Sequence, residues 1–400
     1  MLKILILSSK VPYPPKDGGA IATLGLARGL AANGHEITML SLNTRKHFVK
    51  SEELPASLMS SIRFINIFHD TSIRPVKALI NLLFSDEPYN AVRFISIAFE
   101  SELIRLLKTE KFNIIQLEGP YMACYISAIR NHCIAPVSLR AHNVEHEIWE
   151  RKSQNEKNPL KRIYLKILAK RIKTLEVKVL NSIDLLIPIS ERDEKHLLKL
   201  NPGIRSKVIP AGVDAENYPL PEKPEYPSLF FIGSLDWMPN QEGLVWFVDK
   251  VWPEIHKDKR IHFHVGGRSA PDWLEKKLIS ADIDFHGEVE NAYEFMNRYA
   301  IMVSPVFSGS GIRIKILEAM MMGKAVISTS IGSEGIPYTH EENIILADDP
   351  DSFVRHIMDI SFNRNTYDTM ANNGRIFVMK SFNNLAFCKT LGEFYSNNRK

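Results

Sequence analysis

Cysteine is scarce: the 400 residues hold three, Cys124, Cys133 and Cys388. An odd number with no metal-ligand spacing supports neither a disulfide framework nor a zinc site, and fits a reducing compartment. No apolar run approaches the ~20 residues needed to span a bilayer. The short run Met1–Ser9 is followed directly by Pro12, Pro14 and Pro15, so it reads as a first buried strand and not as a signal peptide. No low-complexity tract and no repeat of roughly 20 to 50 residues is present. Charge is nearly balanced, 50 Lys and Arg against 46 Asp and Glu; net +4 is too little to argue for nucleic acid by itself. The Gly-x-Gly-x-x-Gly fingerprint is missing, which makes an oxidoreductase the weakest class. Asp348-Asp349 lies in a late turn and substitutes poorly for the Asp-x-Asp motif of metal-dependent enzymes.

What is present is a packed α/β chain. Apolar residues make up 45% and charged residues 24%, and the length suits two domains. Runs rich in Ile, Leu and Val alternate with helical patterns from end to end, which predicts parallel sheets covered by helices on both faces. In the first half the expected strands lie near residues 3–8, 35–43, 62–68, 112–117, 135–140 and 183–189. Single helices are expected over 89–108 and 158–181, and a short strand and turn over 207–214. Four prolines, Pro219, Pro221, Pro224 and Pro227, then read as a linker. Strands resume near 228–232, 261–265, 283–286, 301–306, 325–329 and 343–346, with one helix over 350–379. The expected domains are 1–205 and 206–380. Tandem α/β domains of this kind place ligands at the carboxyl ends of their strands.

The segment from Ser308 to Met320 is the most informative. A strand ends in small residues and a helix follows at once. Gly309, Ser310 and Gly311 let backbone approach a ligand, and a helix start favours an anion. Arg313 and Lys315 add positive charge. Gly311, Lys315, Glu318 and Met322 share one helical stripe by their spacing. That places a cation for a diphosphate one turn before a carboxylate for ribose hydroxyls. The plain alternative is an i,i+3 surface pair of Lys315 with Glu318 beside a simple turn. A second candidate is Gly18-Gly19, at the start of the first helix; an ordinary strand-to-helix turn explains it equally well. The segment after the fifth strand offers His142, Asn143, Glu145 and His146, which could orient a hydroxyl or a departing oxygen. Its pattern is not His-Glu-x-x-His, so zinc is disfavoured; a capped helix start is the alternative.

Between Lys157 and Lys178, Lys and Arg interleave with Ile, Leu and Val. This amphipathic helix packs on its own sheet, and its cationic face suits an anionic membrane.

At this point the chain resembles the family 4 glycosyltransferases, retaining enzymes of the GT-B fold with two Rossmann-like domains facing each other across a cleft. The resemblance rests on Pro14–Gly19 (PPKDGG), His142–His146 (HNVEH), Ile209–Asp214 (IPAGVD), Phe231–Leu235 (FIGSL) and above all Gly309–Ile327 (GSGIRIKILEAMMMGKAVI). It implies that the first domain holds the acceptor and the second the nucleotide sugar. It also implies that residues 381–400 return to the first domain. Glu318 matches the glutamate that binds the ribose hydroxyls, and Gly309–Gly311 would meet the diphosphate. Gly18 and Gly19 would close on it, His142 would sit by the transferred sugar, and backbone near Val289 would meet the base.

Two positions depart from the family pattern. Ser310 stands where a second glutamate is usual, and Ser234 where an arginine follows the glycine of the donor domain's first strand. Arg313 and Lys315 are the expected substitutes, stabilising the leaving diphosphate without a metal or other cofactor. The implied function is retaining transfer from a nucleotide-sugar donor to a glycan or lipid-linked acceptor in cell-surface polysaccharide synthesis. The implied place is the cytoplasm, with peripheral contact at the inner membrane face. The competing readings are a nucleotide-sugar epimerase of the same architecture and a donor-binding subunit without turnover.

Overall fold

A computed structural model describes residues 1–399 apart from 215–217, 219–222 and 309–311. The chain forms two compact units, Met1–Gly212 with Asn384–Lys400, and Val213–Asn383. The division falls at Gly212 and again at Asn383.

The first unit is built on seven strands: β1 (Lys3–Ser8), β2 (Glu36–Thr44), β3 (Ile62–His69), β4 (Ile114–Glu118), β5 (Val137–Ala141), β6 (Leu185–Pro188) and β7 (Arg205–Ser206). Their order is β3-β2-β1-β4-β5-β6-β7, all parallel. The odd positions of β4 and β5, Ile115, Leu117, Val137, Leu139 and Ala141, join one apolar cluster. Leu2, Ile4 and Ile6 join the opposite one, with Leu24 and Leu30 of helix Gly18–Ala32 and Leu391 and Tyr395 of helix Asn384–Asn398. A sheet buried on both faces explains the near-continuous apolar strands.

The second unit carries β8 (Glu225–Ile232), β9 (His262–Gly266), β10 (Asp284–Gly287), β11 (Tyr299–Ser304), β12 (Ala325–Ser328) and β13 (Ile345–Leu346), ordered β10-β9-β8-β11-β12-β13 and parallel throughout. In each unit the chain winds one way from its first strand and then the other. The switch points lie between β1 and β4 and between β8 and β11, where open sheets of this class bind ligands.

Four expectations need correction. Residues 89–108 are not one helix: Tyr89–Val92 and Ile97–Thr109 are separate, and Ser96 caps the second by accepting from Phe99 N. The helix over 350–379 is also two, Pro350–Phe362 and Arg364–Ser381, because Asn363 leaves helical geometry and accepts from Thr366 N. Such caps contribute about 1 kcal/mol each. The short strand near 207–214 lies earlier, at Arg205–Ser206. Pro227 belongs to β8 and not to a linker. It sits where the pairing with β11 shifts register between Tyr299 and Ile301, a place that requires no ladder N–H.

Candidate functional site

At the first switch point the strands deliver polar side chains into the sheet's interior. Residues alternate faces along a strand, so Gln116 and Glu118 of β4 share a face with Ser138 and Arg140 of β5 and with His142 just beyond it. Glu118 and Arg140 are register partners. The face is covered by the first and last helices, and a continuous polar file runs through it. Ser138 Oγ lies 2.9 Å from Tyr395 Oη, which donates to Gln116 Oε1 at 2.7 Å. The Gln116 amide donates to Glu118 Oε1. Glu118 Oε2 accepts from Thr23 Oγ1 at 2.9 Å and lies 2.7 Å from His142 Nε2. Burial would raise the Glu118 pKa, but the His142 contact, the Arg140 charge and the Thr23 hydroxyl outweigh it and hold it below the ordinary value. Arg140 is wholly buried and donates to Ile209 O at 3.3 Å.

His146 does not join His142. It faces Glu176, Nδ1 to Oε2 2.5 Å, and Glu176 also accepts from the N–H groups of Glu145 and His146. Glu176 thus caps helix Glu145–Asn155 from the long helix Pro159–Leu180. Glu145 accepts from Tyr121 Oη at 3.0 Å. Burial, then the Glu176 charge, push its carboxyl up to about 7. Gly18 and Gly19 open helix Gly18–Ala32, capped by Asp17, which accepts from Ala20 N at 2.9 Å and pairs with Lys10 at 2.6 Å. A Cβ on Gly19 would meet only ordinary contacts, 3.4 Å to Asp17 Oδ1, so packing does not demand glycine there.

At the second switch point the backbones crowd. A Cβ on Gly267 would lie 2.3 Å from Gly233 O, so only glycine fits this approach of the β8 and β9 ends. Val289 packs beside Gly266 after β10. Ser234 Oγ accepts from Arg268 Nε at 3.1 Å. A guanidinium therefore stands beside the position where the sequence lacks an arginine. Nothing in sequence spacing links 234 to 268; only the adjacency of β8 and β9 does.

After β11 comes helix Ile314–Met321, two residues later than residue 312. Arg313 is its N-cap residue, with its guanidinium over the Trp237 ring at 5.3 Å and a bond to Ser308 O at 3.2 Å. Lys315 and Glu318 do form an i,i+3 pair, at 2.6 Å, but Glu318 is buried, 6% exposed. Its Oε1 accepts from Tyr218 Oη at 2.6 Å. A carboxylate offers about four lone-pair sites, so these two bonds leave acceptor capacity. Burial and the Glu318 charge push the Tyr218 phenol far up, which keeps it a donor. Gly309, Ser310 and Gly311 lie outside the described residues.

One further cluster among the described residues brings ligand atoms of His340, Glu341 and His356 within 4.8 Å of one another. Its donor set does not fit a cation. His340 Nδ1 accepts the Leu346 N–H at 3.0 Å, which puts the ring proton on Nε2, and the Arg355 guanidinium lies 3.3 Å from His356 Nε2.

Two parallel sheets, each with a switch point at the carboxyl ends of its strands, define a tandem Rossmann-like architecture. Residues 16–217 match the family described as Glycosyltransferase Family 4, and residues 226–362 match Glycosyl transferases group 1. The chain belongs to glycosyltransferase family 4; it is a GT-B glycosyltransferase acting on a nucleotide-sugar donor. Its fold is similar to that of a sucrose-phosphate synthase from Thermosynechococcus elongatus, with 15% identity, 99% of each chain covered and a TM-score of 0.72. It is likewise similar to HepE of Anabaena, solved with UDP and glucose, with 13% identity, 99% and 100% covered and a TM-score of 0.68. An uncharacterised 44.6 kDa protein in the cps region of Klebsiella pneumoniae is 24% identical over 406 residues, covering 96% of this chain and 97% of that one.

Proposed function

We propose that the protein transfers a sugar with retention of anomeric configuration, and without a metal, to a glycan or lipid-linked acceptor in cell-surface polysaccharide synthesis. The second unit binds the donor and the first the acceptor. The observation that carries the donor reading is the buried Glu318, held by Lys315 and Tyr218 on the helix that follows β11. Glu318 accepts the ribose hydroxyls through its remaining lone pairs. The bond between the anomeric carbon and the diphosphate oxygen breaks as an acceptor hydroxyl oxygen bonds that carbon from the same face, charge builds on the diphosphate, and the hydroxyl proton passes to the departing diphosphate oxygen. Arg313, Lys315 and the helix N–H groups stabilise that charge, with the loop Gly309, Ser310 and Gly311 against the phosphates. Arg268 supplies the guanidinium that Ser234 does not. Backbone near Val289 meets the base. Gly18 and Gly19 let the first helix's N-terminus approach the donor, and His142, fixed by Glu118, orients a hydroxyl of the transferred sugar. The relative from a cps region and the UDP-bound state of HepE support the polysaccharide and nucleotide parts of the reading.

The test is a thermal-shift screen with nucleoside diphosphates and their sugars, followed by transfer assays with and without a chelator. A matching donor raises the melting temperature, product NMR gives a retained linkage, and the chelator leaves the rate unchanged. An inverted product, or full loss of rate on chelation, rejects the corresponding part. Donor conversion without any acceptor identifies an epimerase instead.

A further inference from the structure

The geometry points to a membrane-docking ridge on the first unit, formed by helix Pro75–Phe84 and the amino-terminal half of helix Pro159–Leu180, whose occupant is an anionic lipid surface. This goes beyond the proposed transfer reaction: it gives the chain a place on a lipid surface and an anchor that the basic helix alone does not provide.

Helix Pro75–Phe84 has no buried residue. Val76, Leu79, Ile80 and Leu83 recur at intervals of three, one and three, so they lie on one stripe, and Phe84 closes it. Exposure runs from 53% at Ile80 to 83% at Phe84. A surface helix normally turns such a stripe inward; here Ala78, Asn81 and Leu82 are the half-buried positions, and the wider apolar stripe stays exposed. On the long helix a second stripe is exposed: Leu160, Ile163 and Ile167, at intervals of three and four. Its opposite side, Leu165, Leu168, Ala169 and Ile172, is buried. Packing therefore accounts for that inner face and leaves the outer one unexplained.

The two stripes adjoin. Arg171, one turn after Ile167, donates from its guanidinium to Asn81 O at 3.3 Å and Leu82 O at 2.8 Å. The carboxyl end of the apolar helix is thereby fastened to the long helix where its exposed stripe ends.

Charge identifies the occupant. Helix Pro159–Leu180 carries seven Lys and Arg against one acidic residue, Glu176, which is buried. Lys161, Arg162, Lys166 and Lys170 are exposed around the apolar stripe, and Lys77 lies on the other helix. Apolar side chains rimmed by cations match an interface of acyl chains beneath anionic headgroups. A second copy of the same surface would set these cations against one another.

The experiment uses the full chain and sedimentation with vesicles of phosphatidylcholine, alone or mixed with phosphatidylglycerol. The wild type is expected to sediment with the mixed vesicles, less so as salt rises, and little with phosphatidylcholine alone. The double variant Leu79→Glu, Leu83→Glu should bind at least ~10-fold more weakly, and Lys161→Glu with Lys166→Glu should remove the preference for the anionic lipid. Equal binding by wild type and the Leu79, Leu83 variant overturns the proposal. So does a wild-type dimer in light scattering that the same variant abolishes while vesicles are ignored. All these positions are exposed, and an unchanged melting curve confirms folding. The nucleotide-induced thermal shift, read in the same samples without vesicles, reports the donor site separately. Its absence in the wild type defeats the donor reading and leaves the vesicle result standing.

Discussion

Each unit buries a glutamate beside its switch point, and the two are held in opposite ways. Glu118 and Glu318 are equally buried, both 6% exposed. The partners of Glu118 come from far along the chain: Thr23, His142 and the Arg140 charge, with Gln116 tied in turn to Tyr395. Glu318 has Lys315 one helical turn before it, and that lysine is a quarter exposed. The first carboxylate belongs to an interior network; the second sits at the edge of a site that water reaches. His142 beside Glu118 is about as exposed as Lys315, at 20% against 25%, but Glu118 also faces the charge of the wholly buried Arg140, which cannot return to solvent when the carboxylate is removed.

The comparison breaks most visibly with Glu118→Ala. Arg140 would stay wholly buried without its counter-charge, so stability should fall by about 3–5 kcal/mol in urea unfolding. Glu118→Gln keeps the shape and should lose less, while kcat falls because His142 is no longer fixed. A loss under ~1 kcal/mol for Glu118→Ala would show that the network is not what holds this face together.

Glu318→Ala should reverse the pattern. Lys315 regains water, so the unliganded melting curve shifts little. Donor binding should weaken about 10- to 100-fold, the worth of hydrogen bonds to a charged group. If the unliganded protein is destabilised as far as by Glu118→Ala, the two glutamates play the same part and the contrast fails. Arg268 refines the donor side. Arg268→Ala should weaken diphosphate binding about 10-fold and leave unfolding almost unchanged. Calorimetry with a nucleoside diphosphate and with the free nucleoside decides it: equal losses for both would detach Arg268 from the phosphates.

The same contrast explains what the sequence disclosed. Alternating strand and helix patterns gave both sheets, since each strand is a local apolar run. The helix after β11 was legible because Arg313, Lys315 and Glu318 lie within six positions of one another. The file at the first switch point was not, because Thr23, Glu118, His142 and Tyr395 are joined only by the sheet and the returning last helix. A signal was available. Gln116 and Glu118 in β4, and Ser138 and Arg140 in β5, fall on every second position of strands that should be apolar on both faces. Polar residues in that rhythm mark an interior network. Arg268 beside Ser234 left no local trace, and neither did the exposure of helix Pro75–Phe84, whose amphipathic pattern reads the same facing in or out. The two split helices were missed because Ser96 and Asn363 break the backbone without disturbing the apolar period.

The smallest effect sharpens the account of the first unit. Glu145 lies beside the buried Glu176, and its carboxyl is raised from 4.5 to about 7. A folded-state pKa above the unfolded one means that the folded chain binds more protons between those two values. Stability from this group is thus complete below about pH 4.5 and is lost as pH rises through about 7. Glu145→Gln keeps a side chain that can accept from Tyr121 and removes the charge. The variant should be more stable than the wild type near pH 8, and the difference should vanish near pH 4. Paired urea titrations at the two pH values measure it. A gain that persists at the acid end would come from packing and not from the carboxylate, and would remove Glu145 from the list of groups whose charge the first unit strains to hold.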